Sequence, residues 1–357
     1  MAVYPGYFRT TYASILVVRQ TLFQRTRLAL LLIALAVFPA VTSGRLLDIA
    51  ITVTIAVPGA VALNLLTGMA GRVSLGNAAF MAIGAFTAQI VGVQCHCPFL
   101  VSVVAGGVSA AAISAIAGLS ALRLRGLYLI MATLALHYLV LYAVEQYQLR
   151  YAGEAGFVMP TASIGSLELD SQVRWYYAFL VLAVTVVTAY TNILRSRSGR
   201  AWMAIRERDI AAEILGVRVN WYKLLAFLVS SFVIGIQGAV FAYYINVLSF
   251  GLFTLNLAIA YVAMIVIGGL GSRYGAIYGA LFVSALPELV SEVGMVIPAS
   301  GGWISEHLFD IQAGAYGLSI VLFLLFEPRG IAEMAARVRK YFALWPFSRE
   351  GGRGEAW

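Results

Sequence analysis

The sequence predicts an all-α fold, a polytopic transmembrane helical bundle. Of its 357 residues, 61% are hydrophobic and 11% are charged, whereas about a quarter of the residues in soluble domains are charged. The mean hydropathy is +0.88. Apolar runs recur along the whole chain, each close to the roughly 20 residues that cross a bilayer as a helix. Alternating strand patterns are absent, which argues against a transmembrane barrel. We therefore expect one membrane domain.

Glycine, proline and charged residues bound the apolar runs, and these boundaries predict about ten spans. The predicted spans are 28–43, 49–67, 75–93, 99–122, 126–144, 174–194, 224–248, 255–269, 274–296 and 305–326. They divide the chain into a basic N-terminal segment of residues 1–27, a transmembrane domain of residues 28–326 and a polar C-terminal tail of residues 327–357. No cleavage site follows the first run, so we expect it to be retained.

The distribution of basic residues predicts the topology. The chain has 24 Lys and Arg against 16 Asp and Glu, an excess that in a membrane protein indicates cytoplasmic connections and not nucleic-acid binding. Arg45, beside Asp48, is the one exception to a regular alternation. The even connections hold Arg72, Arg123, Arg125, the segment 195–223, Arg273 and the tail, and the odd ones hold the turn 95–97 and the acidic stretch 145–173. Both termini are therefore predicted to be cytoplasmic.

An Arg-rich segment, residues 195–223, interrupts the apolar runs. Its middle predicts one amphipathic helix from Gly199 to Leu215, with Gly216 as the stop. Trp202, Ile205 and Ile214 are available on one side of this helix. The residue pattern alone supports two interpretations: a helix held by arginine on anionic lipid headgroups, or a lever that fits into a motor subunit.

Motifs for catalysis and for cofactor binding are missing from the sequence. The only lysines are Lys223 and Lys340, and neither follows a glycine, so the chain has no phosphate-binding loop of the Walker type. The three histidines lie on separate segments. Cys95 and Cys97 flank His96 too closely for an ordinary disulfide and supply too few ligands for zinc. We expect no enzyme activity, no metal site and no cofactor bound by this chain.

Ionisable side chains within the spans are few. A proton- or sodium-coupled carrier acting alone would need an ion-coordinating site in mid-membrane, and the sequence shows none. Interhelical hydrogen bonding and the lining of a polar path are both open for the amides of the predicted spans. The candidates for a translocation path are Asn64, Asn77, Gln237 and Asn246.

Among the ionisable side chains of the predicted spans, Glu288, Glu292 and His137 are further candidates. Glu288 and Glu292 lie one helical turn apart after Pro287, toward the outer end of the ninth span. They form either a solvated rim or a docking contact for an extracellular binding protein. For His137, in the fifth span, we expect a hydrogen bond to a neighbouring helix.

The Arg-rich segment resembles the cytoplasmic coupling loop of ABC importer permeases. The stretch from Asp209 to Val217 reads DIAAEILGV, with Gly199-Arg-Ala before it and Lys223-Leu-Leu-Ala-Phe after it. The resemblance is specifically to the branched-chain amino acid permease family of the LivM type, and it extends over most of the chain. Similar stretches are NLLTGMAGRVSLGNAAF (64–80), RGLYLIMATLA (125–135), GGLGS (268–272) and FEPRGI (326–331).

The resemblance implies site residues as well. The importer pattern Glu-Ala-Ala, three residues, Gly corresponds to Ile210, Ala211, Ala212 and Gly216, so the leading glutamate is absent here. The resemblance implies that the small residues Ala211, Ala212 and Gly216 contact an ATPase groove. The candidate charged flanks of that contact are Arg206 and Glu213.

The resemblance also implies partners and a mechanism. A second related permease would pair with this chain in a bacterial or archaeal cytoplasmic membrane. Two cytoplasmic ATPase subunits would carry ATP and magnesium, and a soluble binding protein would deliver leucine, isoleucine or valine. The coupling helices would transmit ATPase closure to the spans. A urea or short-amide permease of the same transport class is the first alternative, and a stand-alone ion-coupled carrier is the second.

Overall fold

The computed structural model describes residues 22–42, 44–121, 126–165, 167–296 and 330–344, and positions 314, 317, 318, 321, 322 and 325. The predicted N-terminal segment 1–27 and the tenth span, 305–326, lie largely outside the described residues. Within the described part the chain is almost entirely helical, with two small two-stranded sheets. The all-α prediction is confirmed.

Twelve α-helices are named in chain order. The first six are α1 Leu22–Val41, α2 Arg45–Leu63, α3 Asn77–Gln89, α4 Phe99–Ala121, α5 Leu127–Tyr151 and α6 Gln172–Arg195. The π-helical turns Asn64–Met69 and Ile90–Gln94 extend α2 and α3. The other six are α7 Arg197–Glu207, α8 Asp209–Ile214, α9 Val219–Ile245, α10 Leu255–Gly268, α11 Gly275–Val296 and α12 Ile331–Leu344.

Seven of the described helical segments are long and apolar enough to cross a membrane, so the chain is a multi-pass membrane protein. The apolar stretches Ala29–Val41 and Gly275–Pro287 are shorter. Several helix ends differ from the predicted span ends. Helix α5 continues to Tyr151 instead of ending at residue 144, and α9 begins at Val219, inside the predicted Arg-rich segment.

Glycine contacts bring α3, α4 and α9 together at the centre of the bundle. A Cβ atom built on Gly84 would lie 2.1 Å from the carbonyl oxygen of Gly235, and one built on Gly106 would lie 2.6 Å from that of Gly84. Since lipid supplies no hydrophobic drive between helices, such close backbone approach provides the packing. Helix α9 is therefore the central element of the fold.

The connections between helices meet at two ends of the bundle. At one end, which we call the acidic end, strand β1 (Phe157–Val158) pairs antiparallel with β4 (Val247–Leu248). The hairpin of β2 (Ser163–Ile164) and β3 (Leu167–Glu168) lies in the same connection as β1. At the other, the basic end, the connections around residues 64–76, 195–219 and 269–274 contact one another. Connections predicted on one side of the membrane thus contact one another in the fold.

Candidate functional site

Two short helices, and not one, form the Arg-rich segment at the basic end. Helix α7 ends at Glu207, Arg208 is extended (φ −154°, ψ 111°), and α8 begins at Asp209. The single helix predicted from Gly199 to Leu215 is therefore wrong. The break lets α7 lie against the bundle while α8 turns, so that Asp209 reaches a buried lysine.

Helix α7 is fixed between α6 and α9. The indole Nε1 of Trp202, which is almost fully buried, donates a hydrogen bond to the carbonyl oxygen of Tyr222 at 2.7 Å. A Cβ atom on Gly199 would lie 2.5 Å from the Cα of Leu194, so α7 packs directly on the last turn of α6. Ile205 is buried in a small cluster with α8 and α9. This helix is part of the bundle and not a free lever.

Helix α8 ends as predicted at Gly216, which has a φ of +83°. The N–H of Gly216 bonds to the carbonyl oxygen of Glu213 at 2.9 Å, and that of Val217 to Ala212 at 3.0 Å. This is the Schellman arrangement, which favours glycine because a side chain strains the left-handed region. Gly216 therefore has a structural reason to be present, independent of any partner.

A carboxylate at the start of α8 lies between two buried cations. Oδ2 of Asp209 is 2.5 Å from Nζ of Lys223 and 4.0 Å from Nη2 of Arg72. Lys223 and Arg72 are only 5% and 6% exposed. A buried cation is costly unless a counter-charge lies close to it. This cluster was not expected from the sequence, because its members are 14 and 137 positions apart.

Arg206 lies over two glycines of the basic end. A Cβ atom on Gly271 would lie 2.1 Å from Nη1 of Arg206, and one on Gly71 would lie 3.4 Å from its Cγ. Both glycines have positive φ values. The side chain thus connects α7 to the turn after α2 and to the connection between α10 and α11. Its predicted pairing with an ATPase charge stays a prediction.

Apolar side chains form an exposed ridge on α8. We call Ile210, Ile214 and Leu215, which are 69%, 81% and 80% exposed, the apolar ridge. Ala211 and Glu213 are exposed on the same short helix, whereas Ala212 is buried against Ile205 and Val219. The two predicted alanines therefore differ in environment: Ala211 faces away from the bundle, and Ala212 packs against it.

The ridge was missed in part by the sequence reasoning. Ile214 was expected on the same side as Trp202 and Ile205, and this expectation is wrong, since Ile214 is exposed and the other two are buried. The sequence does hold a pattern that indicates the ridge, because the apolar residues at positions 210, 214 and 215 have the spacing of one face of a separate helix. Contact of Ala211, Ala212 and Gly216 with an ATPase remains a prediction.

The four candidate path residues do not come together. Asn64 is buried at the basic end, where its amide makes three hydrogen bonds. Gln237 is buried, and its Nε2 donates to the carbonyl oxygen of Ile55 and to the hydroxyl of a tyrosine. Asn77 is buried, and its amide has no hydrogen-bond partner among the described residues. Asn246 is exposed at the acidic end, with a φ of +64°. Their place on a translocation path stays a prediction.

The remaining candidates give no site in the described residues. Glu288 and Glu292 lie on α11 after Pro287, but their side chains lie outside what the structure describes. Neither ring nitrogen of His137 has a hydrogen-bond partner among the described residues, contrary to expectation. Within the described ranges no group of three His, Cys, Asp or Glu side chains can hold a metal ion. Cys95 and Cys97 are both free thiols.

Comparison with known proteins identifies the family. The model of the family described as the branched-chain amino acid transport system / permease component matches residues 45–325. The chain belongs to this family. A LivM protein of Escherichia coli (strain K12), named a high-affinity branched-chain amino acid transport system permease protein, is 27% identical over 338 residues, which cover 88% of this chain and 76% of the relative. The protein of the same name from Salmonella typhimurium (strain LT2) is 28% identical over 341 residues, covering 89% and 76%.

No solved structure matches the chain. The matched range includes both helices of the Arg-rich segment, the ion cluster and the apolar ridge. Together with the seven helices long enough to cross a bilayer, the family places this permease in the cytoplasmic membrane as a multi-pass protein.

Proposed function

We propose that this chain is a permease subunit of an ATP-driven, binding-protein-dependent importer of branched-chain amino acids, and that α8 seats in a separate ATPase subunit. The single observation that carries the coupling proposal is the apolar ridge, exposed on a helix that the rest of the basic end holds in place. The solute class is taken from the names of the family and of the relatives from E. coli and Salmonella.

The chemistry of the ridge fits a groove on a soluble partner. Burying a side chain such as Ile214 yields about 1.5–3 kcal/mol, so three adjacent side chains supply a substantial share of a protein contact. The carboxylate of Asp209 joins the start of α8 to Lys223, and Ala212 and Val217 pack with Ile205 and Val219 of the neighbouring helices. A partner that moves the ridge would therefore move the bundle as well, which is what a rigid transmission requires.

The proposed topology has ten spans with both termini in the cytoplasm, which places the basic end inside. Connections that are predicted to lie on the same side of the membrane contact one another, which supports this topology. One such contact is the hydrogen bond from Asn64 to the carbonyl oxygen of Ser272. The topology is also supported by the position of Arg72, Lys223 and Arg206 at one end, because cytoplasmic connections are enriched in basic residues.

The proposed assembly contains a second related permease, two ATPase subunits and a soluble binding protein at the acidic end. Hydrolysis of ATP is assigned to the ATPase subunits, since this sequence has no phosphate-binding loop. The ATPase subunits would hold ATP and magnesium. The binding protein would supply most of the discrimination among leucine, isoleucine and valine, and the largely uncharged interior of the described spans agrees with a path that binds the solute weakly.

The first experiment tests whether α8 binds the ATPase subunit through the apolar ridge. The protein and candidate ATPase subunits are co-purified in detergent, with Ile210→Asp and Ile214→Asp compared with wild type. We expect each aspartate to abolish most of the ATPase binding, because a charge would have to enter an apolar contact. Val158→Asp is the matched control, since Val158 is 75% exposed at the opposite end. ATPase binding by the ridge variants at the wild-type level would contradict the proposed seat.

The second experiment tests the activity in liposomes. The complete assembly is reconstituted with binding protein and leucine, and uptake is measured with and without ATP. We expect uptake that requires both ATP and the binding protein. Flux through the permease alone, without ATPase subunits, would instead support a stand-alone carrier. Uptake of urea or a short amide in preference to leucine would support the other transport alternative.

A further inference from the structure

Asp209 occupies the one position where α8 contacts two other parts of the bundle through charge. It is the first residue of α8, and its Oδ2 atom lies close to both Lys223 and Arg72. Lys223 belongs to the first turns of α9, and Arg72 follows the π-helical turn at the end of α2. One carboxylate oxygen therefore joins three elements of the basic end.

The two cations are buried more deeply than the carboxylate. Lys223 and Arg72 are nearly inaccessible to solvent, whereas the side chain of Asp209 is about one-third exposed. Because the cations cannot be solvated in place, they keep the carboxylate near them more firmly than a surface ion pair would. A movement of the Asp209 carboxylate would therefore be transmitted to α9 through Lys223 and to the connection between α2 and α3 through Arg72.

Few other contacts hold α8. It has only six residues, and an isolated helix of this length is not stable in water. Its one buried side chain is Ala212, and its C-terminal end is closed by the hydrogen bond from Val217. The preceding residue, Arg208, is extended and provides no side-chain cap. Two contacts therefore set the orientation of the apolar ridge: the packing of Ala212 against Ile205 and Val219, and the ion pair of Asp209 with Lys223.

The two cations lead to different parts of the fold. Helix α9, which carries Lys223, is the central helix that contacts α3 and α4 through glycine. Arg72 lies in the connection between α2 and α3, next to Gly71 and Arg206. A displacement of α8 thus reaches the centre of the bundle by one cation and the connection between α2 and α3 by the other.

We infer that Asp209 is the positioning residue that transmits movement of α8 to the bundle, through Lys223 on α9 and Arg72 on the connection between α2 and α3. This inference rests on the proposed function, because it takes α8 to be the helix that an ATPase moves. It adds a division of labour: the apolar ridge binds the ATPase, and the buried ion cluster carries its movement inward. Binding and coupling are then separable by mutation.

The test uses the complete assembly in liposomes and measures the number of ATP molecules hydrolysed per solute transported. The variants are Asp209→Asn and Lys223→Met, with their double variant. We expect both single variants to retain the ATPase subunits, since the ridge is unchanged. We expect their uptake to fall by at least about tenfold, the size of effect that follows loss of a charge-assisted contact. Hydrolysis falls less, so the ATP-to-solute ratio rises.

The double variant distinguishes a shared contact from two separate defects. If Asp209 and Lys223 act through one contact, the double variant loses no more uptake than the worse single variant. Lys223→Met also keeps the inference testable if Asp209→Asn does not fold, because it changes the same contact from the other side and removes one of the two cations beside the carboxylate. Glu207→Gln is the matched control: Glu207 is exposed at the end of α7, and its loss leaves the ratio unchanged.

Two results would overturn the inference. One is a wild-type ATP-to-solute ratio in either Asp209→Asn or the double variant, and the other is additive loss of uptake in the double variant. Failure of the proposed function has a different signature, because it appears in the wild-type protein as lack of ATPase binding or as uptake without ATP. A coupled wild-type importer with normally coupled Asp209→Asn and Lys223→Met variants refutes the ion-cluster inference alone.

Discussion

Gly271 donates its backbone N–H to the side-chain Oδ1 of Asn64 at 3.0 Å, although 207 positions separate the two residues. The Nδ2 atom of the same amide donates to the carbonyl oxygen of Ser272 at 2.9 Å and to the hydroxyl of Tyr190 at 3.1 Å. One buried amide thereby joins the end of α2, the last turns of α6 and the connection between α10 and α11. The connection between α10 and α11 also contacts Arg206 of α7. Asn64 therefore stabilises a connection against which α7 packs.

The first prediction concerns Asn64→Leu. This change leaves the N–H of Gly271 and the carbonyl oxygen of Ser272 without their partner, and each buried unsatisfied group costs about 1–3 kcal/mol. We expect a lower unfolding temperature in detergent, measured by fluorescence-detected gel filtration after heating. Asn192→Leu is the control, because Asn192 is exposed on α6. An unfolding temperature equal to that of the control would mean that the three hydrogen bonds contribute nothing to stability.

The second prediction concerns Gly271→Ala. Gly271 has a φ of +74°, and a Cβ atom would lie 2.1 Å from Nη1 of Arg206 and 2.7 Å from the carbonyl oxygen of Gly68. The left-handed conformation alone costs an alanine about 1–2 kcal/mol, and the overlaps add to that cost. We expect loss of folded protein or a marked drop in thermal stability. The matched control is Gly251→Ala, because its nearest atom would be 3.8 Å away; equal stability of the two alanine variants would contradict the prediction.

Composition and charge distribution were sufficient to predict a multi-pass helical bundle and the approximate position of most spans. The positions of span ends were less predictable. Lys223 lies buried inside α9, which begins at Val219, and is paired with Asp209. Read from the sequence alone, a lysine at this position indicates an aqueous connection. The sequence gives no sign of this pairing, since the two residues lie on different helices.

The candidate site was predicted by location but not by geometry. The pattern of apolar residues in the Arg-rich segment matched one amphipathic helix, and periodicity alone could not show that the backbone turns at Arg208. That turn reverses the environment of Ile214 relative to Trp202. The contacts among Asn64, Gly271 and Arg206 could not be predicted either, because a contact between a glycine and a polar side chain far apart in the sequence produces no periodic pattern.

The third prediction concerns Trp202→Phe. Phenylalanine keeps most of the buried ring area but cannot donate to the carbonyl oxygen of Tyr222, now bonded at 2.7 Å. Because a typical hydrogen bond contributes about 1 kcal/mol, we expect a modest loss of stability and a loosened α7. Hydrogen exchange of the α7 amides is the measurement, and it should become faster. Trp221→Phe serves as the control, since Trp221 is 57% exposed. Unchanged exchange in α7 would show that packing alone holds the helix.

The fourth prediction concerns the acidic end, where Gln148 lies fully buried at the end of α5. Its Oε1 accepts the N–H of Phe250 at 2.8 Å, and its Nε2 donates to the carbonyl oxygen of Gly153 at 3.4 Å. The side chain therefore joins α5 to the connection between α9 and α10, beside the paired strands β1 and β4. Loss of this amide should loosen both connections together.

Gln148→Leu tests this linkage. We expect faster hydrogen exchange at Phe250 and in strand β1, and a destabilisation of about 1–3 kcal/mol from the buried N–H left without an acceptor. Gln148→Glu keeps an acceptor for the N–H of Phe250 but replaces the donor to Gly153 with a buried carboxyl group, which lowers overall stability. Because the acceptor remains, its effect on exchange at Phe250, measured where the protein is folded, should be the smaller of the two. Gln146→Leu, at an exposed position on the same helix, should match wild type. If leucine and glutamate at position 148 had equal effects at Phe250, the acceptor would not be what holds that connection, and the strand pairing of β1 with β4 would have to hold it instead.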